Sequence, residues 1–262
     1  MKKKILSLCL VAALAATAVI GGTLAYFTDT DEATNTFTTA NVSIQLIEQQ
    51  RNDEGTALEP FEQGKVLYPI AGSAQGDKDQ FGLPTAGNYV DKIITVKNLA
   101  SDAYVRVYVA IPTVLDNVGD ASQNILHFNG GNKFVAEGGK TDGNALNEDY
   151  ANWGAETLVA EGFTMDDGID YNIYSYTYNK VMTKDMITGS ACTVGFYLDK
   201  GVDYDNEKNC YTINGTEIEF DFSKGVTIPV FAVGAQVAGF ETAGADAAID
   251  AAFGADFNPW AE

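Results

Sequence analysis

The residues with the most chemical potential in this chain are few and scattered. There is one histidine, His127, between Leu126 and Phe128 with no glutamate beside it. A catalytic zinc takes three ligands from His, Cys and carboxylates, often with both histidines of an H-E-x-x-H helix. A lone histidine in an apolar setting reads instead as a structural residue. A Ser-His-Asp site would need the same His127, and no G-x-S-x-G elbow is present. The segment Asp-Lys-Gly-Val-Asp-Tyr-Asp holds Asp199, Asp203 and Asp205, hard oxygen ligands of the kind Ca²⁺ takes, although the spacing is not that of an EF-hand. The alternative there is a polar turn between two strands. Of three cysteines, Cys9 lies in the N-terminal apolar run, leaving Cys192 and Cys210 as either a disulfide or two unpaired thiols. Paired-carboxylate chemistry is not readable from sequence, because acids are abundant and their separation is invisible. The residues point to no catalytic centre and to no cofactor other than a candidate calcium ion.

The 262 residues carry 16 basic and 36 acidic side chains, a net charge of −20. Lys2, Lys3 and Lys4 precede the apolar run ILSLCLVAALAATAVI, which has the form of a secretory signal peptide with a cut between Ala25 and Tyr26. The rival reading is an uncleaved anchor, the only membrane contact the sequence suggests. Cleavage removes those three lysines and no acid, so the remainder is more acidic still. Such a surface excludes binding to a nucleic-acid backbone and favours solubility outside the cell. A hydrophobic content of 46% allows a real core. The chain divides into a signal peptide (1–25) and one domain (26–262), whose first dozen residues (26–37) form an acidic arm.

The elements that position these residues read as strands. Thr36 to Ile47 alternates, with Val42, Ile44 and Leu46 on one face. Gln49 to Gln63 reads as a loop, Val66 to Ile70 as a short strand and Gly72 to Gly87 as an exposed connection. Asp91 to Asn98 and Ala103 to Ile111 are the clearest pair, turned by Leu99 to Asp102. Val105, Val107, Val109 and Ile111 share one face of the second, opposite Tyr104, Arg106 and Tyr108. Asp116 to Gly168 reads as a loop insertion with short elements such as Ile125 to Phe128. Strands resume at Ile169 to Tyr178, Thr193 to Leu198, Asn209 to Ile213 and Glu217 to Phe222, the last two joined by the hairpin signal Asn214-Gly215. Val226 to Val233 is an apolar strand in which Pro229 implies an edge or bulge. Ala243 to Phe253 reads as a helix closing at Gly254. Many strands and one late helix without a βαβ rhythm give an all-β fold, an antiparallel β-sandwich.

The stretch Gly21 to Ile47, which opens GGTLAYFTDTDEATNTFTTANVSI, resembles the start of the TasA/camelysin family of secreted bacterial matrix proteins. The resemblance rests on Gly21, Gly22, Thr23 and Ala25, then Tyr26-Phe27, then Phe37, Ala40, Val42 and Ile44. Ala40 departs from the family's usual glycine. It reappears in Val90 to Asn98 with Ala103-Tyr-Val-Arg-Val, and in Val226 to Gln236 with Ala238-Gly-Phe-Glu-Thr242. It is loose between Asp116 and Gly168. The resemblance implies a jelly-roll arrangement of the sandwich and processing by the dedicated signal peptidase of the family. It also implies head-to-tail polymerisation of the protein with itself, the donor arm being Tyr26, Phe27 and the stretch through Phe37.

The reading that follows is a secreted, non-enzymatic structural protein, a fibre-forming subunit of a bacterial biofilm matrix or cell-surface layer. An extended arm adding to the sheet edge of another molecule makes a contact that does not close on itself and so builds a filament. Two other classes stand beside it: a monomeric surface adhesin using the loops between Asp116 and Gly168, and a camelysin-like secreted protease.

Overall fold

The computed structural model describes residues 28–32, 35–36, 42–65, 67, 69–70, 90–130 and 152–261. Of these, 28–32, 35–36, 70, 121 and 129 are described as backbone alone. The strands in the first half are β1 (Thr28–Glu32), β2 (Asn35–Thr36), β3 (Ile44–Arg51), β4 (Leu58–Pro60), β5 (Pro69–Ile70), β6 (Val90–Asp91), β7 (Ile93–Asn98) and β8 (Ala103–Pro112). Those in the second half are β9 (Leu126–Gly130), β10 (Thr157–Thr164), β11 (Asp170–Met182) and β12 (Thr193–Asp199). They are followed by β13 (Val202–Asp205), β14 (Cys210–Ile213), β15 (Thr216–Glu217), β16 (Val230–Gln236) and the helix α1 (Gly244–Phe253).

The largest sheet runs β10-β11-β8-β16-β1-β2, antiparallel throughout. Its centre is β8, whose ten residues are all buried. The alternation read from sequence explains this. Val105, Val107, Val109 and Ile111 face inward, where Tyr174, Tyr176 and Tyr178 of β11 join them against Ile44, Leu46, Ile94, Val96 and Phe196 of the opposing layer. That layer holds the sheet β4-β3-β7 and the strands around β12. The outward face of β8, with Tyr104 and Tyr108, is covered in turn by Ala245, Ala248 and Ile249 of α1. The expected antiparallel sandwich with a C-terminal helix is borne out, with the helix as a third layer. Among the described residues the one departure from antiparallel pairing is the two-residue contact of β5 with β12.

Several local expectations change. β7 and β8 do not pair with each other: β7 hydrogen-bonds to β3, while β8 lies between β11 and β16. Leu99 to Asp102 is therefore an arch between the two layers. Asn98 holds it, donating from Nδ2 to the carbonyls of Ser101 (2.8 Å) and Met182 (2.7 Å) and accepting from the N–H of Ala100 at 3.1 Å. The first predicted strand starts later, at Ile44, and runs to Arg51, so that β4 pairs with it inside the predicted 49–63 loop. Of the predicted strand from Val66 to Ile70, Pro69–Ile70 form β5 while Val66 and Tyr68 lie outside the described residues, as does the connection from Gly72 to Gly87. The predicted 116–168 insertion contains a full strand, β10, at one edge of the main sheet. Glu217 to Phe222 is strand only at its start; Asp221 caps a 3-10 turn over Phe222–Lys224 through the Ser223 N–H. Asn214 (φ 49°) and Gly215 (φ 83°) make the tight hairpin turn as read.

Candidate assembly edge

The predicted edge strand near Pro229 is a central one. Pro229 precedes β16 rather than interrupting it, so its missing N–H leaves the ladder intact while its carbonyl accepts from the Ala110 N–H at 3.0 Å. On one side β16 pairs with β8 from Val230↔Val109 to Gln236↔Ala103. On the other it pairs with β1, from Thr28↔Ala235 to Glu32↔Phe231, with no irregularity of register. β2 then folds back on β1 through Asp31↔Thr36 and Glu32↔Asn35. The residues just after the predicted signal peptide thus supply backbone partners to a strand near the other end of the chain. Without them β16 would present a row of unpaired N–H and C=O groups, a template for another strand.

The layer beneath this edge is tight. A Cβ at Gly234 would lie 2.9 Å from Val42 Cγ1 and 3.0 Å from Ile44 Cγ2, so glycine is what lets β3 approach β16. Above it, α1 is pinned by Arg106 of β8, which donates to Asp246 Oδ1 and Asp250 Oδ1 at 2.8 Å each and to Thr177 Oγ1 at 2.8 Å. Burial works against the Arg106 charge, but the two carboxylates outweigh it and move its pKa up. Burial also acts to raise Asp246, yet hydrogen bonds from Thr177 and Arg106 carry it below the usual carboxylate range. Phe231 of β16 meets Trp260 edge-on at 6.2 Å, closing the helical layer over the strand.

The cleavage pair Ala25 and Tyr26 and the arm residues Phe27 and Phe37 lie outside the described residues. No disulfide joins Cys192 and Cys210: Cys192 is buried in the core, and Cys210 sits at the start of β14 in the small outlying sheet. Asp199, Asp203 and Asp205 are not brought together as one cation site. Asp199 turns to the Gly201 N–H (2.7 Å) and to His127 Nε2 (3.1 Å), Asp203 to the Tyr204 N–H, and Asp205 to the N–H groups of Glu207 and Lys208. Among the described residues no three His, Cys, Asp or Glu side chains are grouped to hold a metal. His127 is positioned by β9 and stacks on Tyr197 at 5.1 Å.

Sequence reading missed a buried polar cluster beside β10. Asp116 accepts from Tyr174 Oη (2.5 Å), Asn172 Nδ2 (2.9 Å) and Asn124 Nδ2 (2.8 Å), while Tyr176 Oη donates to Glu156 at 2.5 Å. Tyr174 and Tyr176 share a face because they alternate along β11, whereas their acceptors are remote in sequence.

An acidic all-β sandwich with an N-terminal strand laid on its main sheet is the class of protein this architecture defines. Residues 1–51, about a fifth of the chain, match the model of the camelysin metallo-endopeptidase family, and they carry the N-terminal resemblance described above. Neither the curated proteins nor the solved structures contain a match to the chain. Among the described residues no helix is long and apolar enough to cross a membrane.

Proposed function

We propose that this protein is a secreted, non-enzymatic structural subunit that assembles head to tail into extracellular fibres, each copy lending its N-terminal strand to the next. The observation that carries this reading is β1 on β16. A short strand at the free end of the chain satisfies a central strand through backbone bonds alone, and the same bonds can be made by the arm of another molecule. The contact is heterologous and does not close, so repetition gives a filament. Cleavage between Ala25 and Tyr26 frees the arm, which couples assembly to export.

The name of the matched family favours a peptidase as the second reading. Against it stands the single histidine of the whole chain, which is paired with Asp199 and stacked on Tyr197. The test is negative-stain electron microscopy of the chain starting at Tyr26, beside the same chain lacking residues 26–37 and beside the uncleaved form. Fibres are expected from the first alone. Monomers from all three, or fibres from the chain without its arm, would overturn strand donation.

A further inference from the structure

We infer that a cavity at the approach to β16 is a binding site for a carboxylate carried on a small apolar body. The cavity measures about 220 Å³ and lies where the segment before β16 meets β6 and the chain following β4. Its floor is apolar, formed by Phe196, Leu67, Val90 and Ile228; Phe196 is 1% exposed and held by stacking on Phe128 at 5.5 Å. Its polar groups are unusual for this chain. Three lysines, Lys65, Lys92 and Lys224, converge on it, and no carboxylate is among the described residues that line it. Acids outnumber bases by 36 to 16 overall, so three lysines beside Gln63 and Thr227, with their carboxylate partners set outside the lining, run against the composition.

The three ammonium groups differ in how firmly they are held. Lys92 is buried, its Nζ fixed 3.0 Å from Glu48 and 4.7 Å from the centroid of the Phe61 ring. It is held in place as a fixed N–H donor beside the floor, its charge balanced by Glu48. Lys65 and Lys224 sit at the rim on loosely held side chains, 40% and 81% exposed. Their pairs with Glu62 (3.5 Å) and Asp221 (3.4 Å) are solvent-exposed and weak, so an entering anion can exchange for them.

Size and field narrow the ligand. The volume is below the roughly 300–1,000 Å³ of pockets for drug-sized molecules, so it admits one ring or one branched chain. An extended polyanion would leave the cavity within its first few units and meet the acidic surface, which repels it over about a Debye length, roughly 8 Å. A single carboxylate with an apolar body, whether a free acid or the end of a peptide, satisfies both the floor and the rim. This inference stands whether or not the chain forms fibres.

The test is a set of titrations followed by NMR on the chain starting at Tyr26. Benzoate and N-acetylphenylalanine present the carboxylate free and as a peptide end. Acetate lacks the body and benzyl alcohol lacks the charge. Benzoate is expected to shift resonances of Phe61, Leu67 and Ile228, with acetate and benzyl alcohol each at least about tenfold weaker. Tighter binding of N-acetylphenylalanine than of benzoate assigns a peptide end as the source, and the reverse assigns a free acid. The double substitution Lys65→Gln/Lys224→Gln, at two exposed rim positions, is expected to weaken benzoate about tenfold and leave benzyl alcohol unchanged. Lys208→Gln on the β13–β14 hairpin should change nothing. No shifts at the cavity, equal binding of benzyl alcohol, or benzoate affinity untouched by the double substitution would overturn the site.

Discussion

The two edges of the six-stranded sheet are closed by opposite means. At one edge β10 follows β11 with register shifts between Leu158 and Ala160 and between Ala160 and Phe163. Gly162 turns there through φ 62°, and its N–H is tied to Asn172 Oδ1 at 3.2 Å. Bulges of this kind twist an edge away from would-be partners. At the other edge β1 runs along β16 in unbroken register, and among the described residues β2 alone lies beyond it. One edge is closed by distorting the strand that belongs there, the other by covering a regular strand with a short strand from the far end of the sequence. Regularity is kept at the edge where the proposed assembly needs an exchangeable strand and is lost at the edge where it does not.

The sharpest way to break this contrast is to remove residues 26–37. Hydrogen exchange should then lose protection along β16 and keep it along β10 and β11, together with complete loss of fibres in the microscope. Protection unchanged on β16 would mean that β1 is not its cover. The next effect belongs to the sealed edge. Asn172 is fully buried, donates to Asp116 and accepts from Gly162, so Asn172→Leu should destabilise the chain by about 2–3 kcal/mol in urea unfolding. At the regular edge, Gly234→Ala forces Val42 and Ile44 back and should cost about 1–2 kcal/mol, with fibre growth slowed in proportion. Arg106→Met removes the pin beneath α1 but leaves its apolar packing, and because Asp246 is 68% exposed the loss should be nearer 1 kcal/mol.

The bulged edge of the main sheet should also separate from the opposing β4-β3-β7 sheet in alkali. Burial first, and then the Asp116 carboxylate, push the Tyr174 phenol far above its ordinary value; burial and Glu156 do the same for Tyr176. A phenol whose folded pKa is raised contributes stability that is complete below its unfolded pKa of about 10 and is lost as pH rises beyond it. Exchange protection on β10 and β11 should therefore fall above about pH 10, before that of β3 and β7, which contain no tyrosine.

Much of this architecture could be read from alternation alone, because a period of two reports which face is buried. The inward set of β8, the start of β11, the Asn214-Gly215 turn and the C-terminal helix all follow from local patterns. What could not be read was pairing. β7 and β8 looked like a hairpin because four residues separate them, yet their inward faces meet across the core, and nothing local distinguishes an arch from a turn. β10 escaped for a related reason: its sequence, TLVAEGFT, mixes its faces because the bulges shift them. Pro229 misled by one position, since a proline just before a strand is compatible with a central place. The three aspartates and two cysteines were near in sequence and far apart in role, and nearness was all that suggested them.

The place of β16 has a consequence for the order in which the molecule comes into being. The chain is made from its N-terminus, so the arm emerges first and the strand it lies on nearly last. β8 likewise waits for β11 and β16, both downstream of it. Until the final stretch is complete there is neither an acceptor for the arm nor a helix over the sheet. An unfinished chain therefore has no acceptor strand to offer, and on the proposed assembly route the last residues synthesised decide when a chain can receive an arm.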